Sequence, residues 1–489
     1  MLAIQDLARV FETTFAPAAR LAMMPLLALG VGMLLYLGAD IVRGLRAARP
    51  LIFAGTIVVA FLAQLNIGFF LEEPPGLVLQ GTYLASRETA LWGCLFLLAT
   101  LFAWLYSLGY YRRSRAFQPE HDALFLAAAA GMTLMAGAGD LVVFFVGLEL
   151  LSLPLYALAA FRRAKLESVE AGLKYFLLGA FSSALFLYGA GLLYTAAGTL
   201  SIEALIAFVA AAPEQPSALA VVGGALIAAS LFFKTSVFPF HLWVPDVYQG
   251  SPTPVTALMA AGTKAAAFAF LIRVAGILPE NSMGVVAGIA LATLAAGNLG
   301  ALVQTDLKRM LAYSGVANAG TLLLLVVAAQ AGIADAVTQQ AALFYVLAYL
   351  ASVVGAFGIL SLLETDGARF TSVDSIAGLG RSRPMLSLAL GLFLLSLGGL
   401  PATGGFLGKW FVFATLVEAD LIPLAVVAIL FSVIALAYYL RVIIALFMQP
   451  APVGPAPTTL RLGGVLTTAA CVLLVLATGL LPGLWLDLV

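Results

Sequence analysis

Apolar residues run along the chain in long uninterrupted blocks, and the polar positions gather in short stretches between them. A helix needs roughly 20 such residues to cross the hydrocarbon core of a bilayer. Blocks of that order fall at 21–42, 51–71, 91–110, 122–138, 140–161, 170–196, 217–238, 255–278, 284–303, 309–330, 337–363, 385–414, 420–440 and 462–486. They are aliphatic and rich in Gly and Ala, without the strict alternation of a membrane barrel, so each is predicted to be a helix. The expected fold is an all-α polytopic membrane protein of 14 transmembrane helices.

Composition agrees. Of the 489 residues, 63% are hydrophobic and 10% charged, and the mean hydropathy is +1.08, outside the range of soluble domains. The net charge of zero gives no electrostatic footprint for nucleic acid. Charge placement is more informative. Sixteen of the 24 basic residues lie in alternate loops: Arg43, Arg46 and Arg49; Arg112, Arg113 and Arg115; Arg162, Arg163 and Lys165; Lys308 and Arg309; Arg369, Arg381 and Arg383; Arg441 and Arg461. By the positive-inside rule these loops are cytoplasmic, and both termini are expected on the opposite side. Arg9, Arg20, Arg87 and Arg273 lie in or near the other set. The acids Glu72, Glu73, Glu88, Glu203, Glu214, Glu418 and Asp420 also fall there, although acids count little in that rule.

The remaining basic residues, Lys174, Lys234, Lys264 and Lys409, fall inside predicted spans, as does Glu149 in VGLELLSLPLY. A charge at the bilayer centre costs roughly 2.5 to 3.5 kcal/mol on insertion scales, so a functional role is the default reading. Lys234 sits where the seventh span is interrupted. In FFKTSVFPFHLWVPDVYQGSPTPV, Pro239 removes a backbone donor near mid-membrane, and 217–251 reads as one span made of two half-helices. GLPATGGFLGKW (399–410) repeats the arrangement in the twelfth span, with Lys409 after Pro401, Gly404 and Gly405. Broken helices at membrane depth survive where they face protein or water, and they build ion sites in transporters.

Spans 4–8 and 9–13 each hold five helices with the fourth broken, and an odd number forces the two units into opposite orientations. The predicted organisation is a three-span segment (1–121), a first five-helix repeat (122–280), a second, inverted repeat (281–446) and a C-terminal span (447–489). No polar linker marks a separate soluble domain; 72–90 and 364–384 read as loops. Cys94 and Cys471 are far apart in apolar runs, whereas an iron–sulfur cluster usually takes four thiolates. With His121 and His241 the only histidines, neither haem nor zinc is supported, and no metal or cofactor site is expected in this chain. FLGKW lacks the glycine spacing and following Ser/Thr of a phosphate loop, and no dinucleotide fingerprint is present. Residues 1–20 do not read as a cleavable signal.

Four stretches carry a resemblance: GLELLSLPLYALAAF (147–161), AGLKYFLLGAFSSALFLYG (171–189), FFKTSVFPFHLWVPDVYQGSPTPVTALMAAGTKAAAF (232–268) and GLPATGGFLGKW (399–410). They resemble the antiporter-like subunits of respiratory complex I, most closely its N-type branch. The resemblance covers spans 4–13; the first three spans and the last agree in number only. It implies that Glu149 is the family's fifth-helix glutamate, Lys234 the lysine of the broken seventh helix, Lys264 that of the eighth and Lys409 that of the twelfth. Lys174 matches a sixth-helix lysine typical of the N type. The middle antiporter-like subunit is expected to have glutamate where Lys409 stands, and the largest carries a lateral C-terminal helix that a chain ending at Val489 does not supply. The implied activity is proton translocation in the membrane arm of a bacterial NADH:quinone oxidoreductase in the cytoplasmic (inner) membrane. NADH, FMN, iron–sulfur clusters and quinone are then expected in partner subunits of both arms, other antiporter-like subunits among the partners. The alternatives are a subunit of a multisubunit Na+/H+ antiporter or of a membrane-bound hydrogenase; a purely structural scaffold is a third class, disfavoured by the buried lysines.

The expected mechanism is electrostatic. An amine that exchanges protons near neutrality must be disfavoured as a cation by roughly 4.6 kcal/mol relative to water, and full burial can supply this. Glu149 is expected to pair with a neighbouring lysine, Lys234, in one state and to hold it charged; on separation the proton passes through Lys264 to Lys409 and leaves on the outer side. Blander readings stand beside these. Glu149 and Lys234 could be a static pair, and Lys264 and Lys409 structural cations. Lys174 could snorkel to the cytoplasmic interface, and His241 could support the half-helix instead of relaying protons. Asp246 and Tyr248 are expected to anchor a loop near the cytoplasmic face. Asp140 reads either as a helix-end residue or as part of an outer exit.

Overall fold

The computed structural model describes residues 16–114, 118–211, 217–364, 371–450 and 462–486. Arg9, Arg115, Glu214, Arg369, Arg461 and Val489 lie outside the described residues. The long helices are α1 Pro17–Ile41, α2 Arg49–Leu65, α3 Arg87–Ser114, α4 Glu120–Gly137, α5 Leu141–Ala159, α6 Leu166–Ala197, α7 Ala218–Thr235, α8 Trp243–Gly250, α9 Thr253–Leu258, α10 Lys264–Arg273, α11 Met283–Leu302, α12 Leu307–Gln330, α13 Asp335–Leu363, α14 Pro384–Gly398, α15 Gly404–Glu418, α16 Ile422–Met448 and α17 Leu462–Leu480. A π-helical turn, Met259–Thr263, joins α9 to α10, and among the described residues twelve helical segments are long and apolar enough to cross a membrane. The centre is formed by 253–273, α12 and α13, whose apolar windows are almost entirely buried, whereas α1, α16 and α17 present most of their surface outward. Leu34 on α1 and Leu466 and Leu473 on α17 are exposed, as expected for residues whose solvent is lipid.

Both helix breaks are present. The ladder of α7 ends at Ser236 in the left-handed region (φ 67°), a conformation that costs a non-glycine residue strain, and the chain resumes as α8 after a cis Phe238–Pro239 bond. α14 ends on left-handed Gly399 (φ 85°), where Pro401 prevents immediate continuation. Other details differ from expectation. The thirteenth span runs to Met448, so Arg441 lies inside α16 and not in a loop. Lys308, also predicted in a loop, is buried on the first turn of α12. The segment 72–90 contains a small antiparallel hairpin, Gly76–Val78 with Tyr83–Ala85, and a short helix, Ile202–Ala210, follows α6. Strands this short carry no alternation long enough to read.

Several contacts occur twice. Arg273, on α10, donates to the carbonyls of Ala136 and Ala138 at the end of α4 (2.5 and 3.0 Å); Arg441, on α16, donates to those of Leu302 and Gln304 at the end of α11 (2.8 and 2.5 Å). Asp140 caps α5 and Asp306 caps α12, and each also pairs through its backbone with a serine beyond the next long helix, Ser201 and Ser372. Ser182 meets Ser230 at 3.1 Å, and Ser352 meets Ser396 at 2.8 Å. Gly131 packs against Leu151, and Gly297 against Ala317. A Cβ at Gly131 would lie 2.8 Å from the carbonyl oxygen of Gly147 and closer still to the amide nitrogen of Leu151, with rigid backbone on both sides. Close approach of this kind is how small residues hold membrane helices together. Gly131→Val is therefore expected to abolish stable accumulation of the chain, read by immunodetection in solubilised membranes; normal levels would show that α4 and α5 can move apart.

Candidate functional site

Lys234 occupies the last turn of α7, where the unpaired carbonyls of a helix C-terminus favour a cation. It is 2% exposed. Its ammonium donates to the hydroxyls of Ser152 (2.6 Å) and Tyr156 (3.2 Å) on α5. The rings of Tyr156, Tyr175 and Phe233 surround it at 5.3 to 5.7 Å from their centroids, an environment attractive to a cation. Ser152 in turn donates to the carbonyl of Leu148 (2.5 Å).

Glu149 departs from expectation in its exposure. It is half-buried and not enclosed, and its carboxylate accepts from Ser183 on α6 (2.5 Å). Among the described residues it forms no ion pair with Lys234, whose amine lies instead on the neighbouring hydroxyls. Helical spacing explains the choice: Glu149, Ser152 and Tyr156 follow one another at intervals of three and four on one stripe of α5.

Lys264 is 2% exposed and its amine has no hydrogen-bond partner among the described residues. It projects just beyond the π-helical turn 259–263, a local insertion that re-aims a side chain and is frequent at functional sites. Tyr248 presents its ring to the amine at 5.8 Å, and the hydroxyls of Tyr248 and Tyr349 are buried and likewise without a partner. Gly315, on α12, leaves the space that the amine fills: a Cβ there would stand 2.6 Å from the nitrogen of Lys264 and 3.2 Å from the Tyr349 hydroxyl. Unsatisfied buried polar groups are costly, and three stand together here.

Lys409 is 7% exposed. It reaches back from α15 across the second break and donates to the carbonyl of Gly398 at the end of α14 (3.0 Å), so both broken helices place an ammonium at a half-helix C-terminus. A cavity beside it is lined by Asn318, Tyr345, Tyr349, Ser352 and Ser396. Tyr345 donates to Asn318 (2.7 Å), and Ser314 hydrogen bonds to Tyr439. Tyr349 thus faces both the Lys264 amine and the Lys409 cavity.

The remaining candidates lie apart from this row. The Lys174 side chain is 42% exposed and pairs with Glu170 (2.8 Å) and Asp246 (2.9 Å); Asp246 also binds Arg309 (2.6 Å). Lys174 is not a buried amine: on the third turn of α6 it still reaches polar surroundings, the carboxylates of Glu170 and Asp246. Asp246 does anchor its segment, through these two cations. His241 is buried between the two half-helices, with Nδ1 unpartnered and its ring 6.5 Å from that of Tyr313.

Two buried clusters had no sequence signal. Asp122 accepts from Tyr36 (2.7 Å) and lies 2.8 Å from His121 Nδ1, fastening α1 to the start of α4. Glu364 caps α13 and accepts from Thr253 (2.5 Å). Neither could be found from one sequence, because the partners lie 86 and 111 residues apart. Among the described residues there is no group of three or more His, Cys, Asp or Glu able to hold a metal.

Residues 138–435 match a family described as NADH:quinone oxidoreductase/Mrp antiporter, transmembrane. NADH-quinone oxidoreductase subunit N of Myxococcus xanthus is 38% identical over 96% of this chain and 96% of its own. The protein of the same name from Salinibacter ruber is 40% identical over 91% and 88%. A chain of respiratory complex I from Thermus thermophilus superimposes with a TM-score of 0.79 at 36% identity, covering 95% of this chain and 99% of that one. A chain of the Mrp complex from a Dietzia species shares the fold, with a TM-score of 0.81 at 22% identity. This chain belongs to the NADH:quinone oxidoreductase/Mrp antiporter family of membrane subunits, within which its relatives are the N subunits of NADH-quinone oxidoreductase.

Proposed function

We propose that this chain is a proton-translocating membrane-arm subunit of an NADH:quinone oxidoreductase, with redox chemistry in partner subunits driving protons past Lys234, Lys264 and Lys409. The observation that carries the reading is three enclosed amines, each at an irregularity of a membrane helix. One such cation already costs several kcal/mol, and fold stability does not require three. Glu149 acts as the switching partner. With the amine on Ser152 and Tyr156, the carboxylate rests on Ser183; rotation of the amine toward Glu149 favours the cation, and its return favours release. Protons then pass to Lys264 and, by way of Tyr349 and the polar cavity, to Lys409. Lys174 and His241 serve as supporting residues, the first fixing α8 through Asp246 and the second filling the break. Moving one charge against 100 mV costs about 2.3 kcal/mol, which quinone reduction elsewhere supplies; NADH, FMN, iron–sulfur clusters and quinone belong to the partners.

The same reading gives 14 passes, counting α4 and treating α7 with α8, and α14 with α15, as single broken spans. Both termini lie on the non-cytoplasmic side of a bacterial inner membrane, opposite Arg43, Arg49 and Arg162. Residues 122–280 and 281–446 are inverted copies, after an N-terminal segment (1–121) and before a C-terminal span (447–489). The doubled contacts support this. Gly131 and Gly297, Asp140 and Asp306, and Leu151 and Ala317 each stand 166 residues apart. The carbonyls held by Arg273 and Arg441 keep the same offset.

A complex captured through a tag on this chain from gently solubilised membranes is expected to contain flavin-bearing subunits and to reduce quinone with NADH. In proteoliposomes, Lys409→Ala is expected to lower the protons moved per electron. A complex without NADH oxidation that exchanges Na+ for H+ would replace this reading with the antiporter one.

A further inference from the structure

We propose that Glu364 is the proton acceptor that supplies Lys264 from the arginine-rich face, an inference that rests on the proton-translocating reading above. Glu364 is 8% exposed. It borders a polar cavity lined also by Tyr110, Arg162, Ser251, Asp306 and Lys308, a space able to hold about one water molecule. Hydroxyl groups continue inward from it. Thr253, which donates to Glu364 at 2.5 Å, opens the helical run that carries Lys264 eleven residues later. At 1.5 Å per residue that is about 16 Å, too far for a direct transfer, but the interval is not apolar. Ser251 Oγ and Tyr248 OH are buried without partners, and the Tyr248 ring lies against the Lys264 amine.

The transfer balances simply. The Glu364 carboxylate takes a proton from cavity water; the acid passes it, through the Ser251 and Tyr248 hydroxyls and water between them, to the neutral amine of Lys264, and the carboxylate is restored. Lys308 lines the same cavity, and its amine donates to the Ser251 carbonyl (2.7 Å), which fixes the loop between α8 and α9. Among the described residues, the charged and titratable groups facing Glu364 are Lys308 on α12, Asp306 at its cap, Arg162 and Lys165 from the loop after α5, and Tyr110 and Tyr111 from α3. Lys264 thereby has a second inlet, beside the route through Glu149 and Lys234.

The test uses the whole complex in proteoliposomes. Glu364→Gln keeps the hydrogen bond from Thr253 but cannot carry a proton. Turnover coupled to pumping is expected to fall at least about tenfold above pH 8, where bulk protons are scarce, and less below pH 6.5, as for loss of a general acid–base group. Glu364→Asp is expected to pump with a displaced pH profile. Wild-type proton-to-electron ratios and pH dependence in Glu364→Gln, alongside a defective Lys264→Ala, would overturn the inlet and leave the wider reading intact. Unimpaired pumping in Lys264→Ala would instead remove that reading. If Glu364→Gln does not assemble, Glu364→Asp decides, and an unshifted profile rejects the proposal.

Discussion

Replacing Lys234 with alanine is expected to leave an assembled complex that still passes electrons from NADH to quinone, at least in part, while the protons it moves per electron fall. Assembly should survive because little is left unsatisfied. Ser152 keeps its bond to the Leu148 carbonyl, and the Tyr156 hydroxyl loses one partner, a cost of about 1 to 3 kcal/mol offset by removal of a desolvated charge. Pumping should fall, because among the described residues no other amine lies on the hydroxyls of α5. The informative control is Lys234→Arg. Arginine stays protonated in proteins, so it can keep the cation among the aromatic rings but cannot hand on its proton. A structural cation would be rescued by arginine; a carrier would not. Dye quenching by inside-out vesicles energised with NADH, normalised to NADH oxidation, measures the difference, and full proton pumping by the arginine variant would remove Lys234 from the pathway.

Gly315→Glu is expected to stop pumping by the opposite means, by adding a group. Glu149 lies nine residues beyond the cap Asp140, and Gly315 nine residues beyond the cap Asp306; where one unit has a carboxylate the other has a hydrogen atom. A glutamate there would face Lys264 directly, since the site of its Cβ is already 2.6 Å from the amine. At about 4 Å and an effective dielectric of 20, such a pair is worth roughly 4 kcal/mol, or about three orders of magnitude in the release equilibrium. The amine would then remain charged throughout the cycle. Gly315→Ala separates crowding from charge: it displaces only the flexible end of Lys264, and its defect should be several-fold smaller. NADH-driven proton uptake by proteoliposomes compares the two. Equal, wild-type uptake by an assembled Gly315→Glu complex would show that Lys264 need not lose its proton.

The class of the protein was legible because a bilayer imposes one length and one polarity on every pass, and the helix interruptions because Pro239 and Pro401 announce themselves. Lys234, Lys264 and Lys409 stood out for the same reason, as cations where cations are expensive. What each amine touches was not legible. The sequence suggested Glu149 as the immediate partner of Lys234, but a serine and a tyrosine on the same stripe of α5 lie nearer, and helical spacing admits all three. Lys174 looked buried by position and is not, because one turn near a helix start decides whether a long side chain reaches polar ground. Lys308 looked exposed and is not, because loop residues fold over the start of α12. The π-helical turn before Lys264 leaves no compositional mark at all.

Arg273 joins α10 to the end of α4, and Arg441 joins α16 to the end of α11. A guanidinium planted on two carbonyls acts as a clasp between the helices it joins. Lys264 stands on α10, which Arg273 clasps, and rests on Gly315 of α12 and Tyr349 of α13, which neither clasp holds, so a shift between clasped and unclasped helices would be felt at its amine.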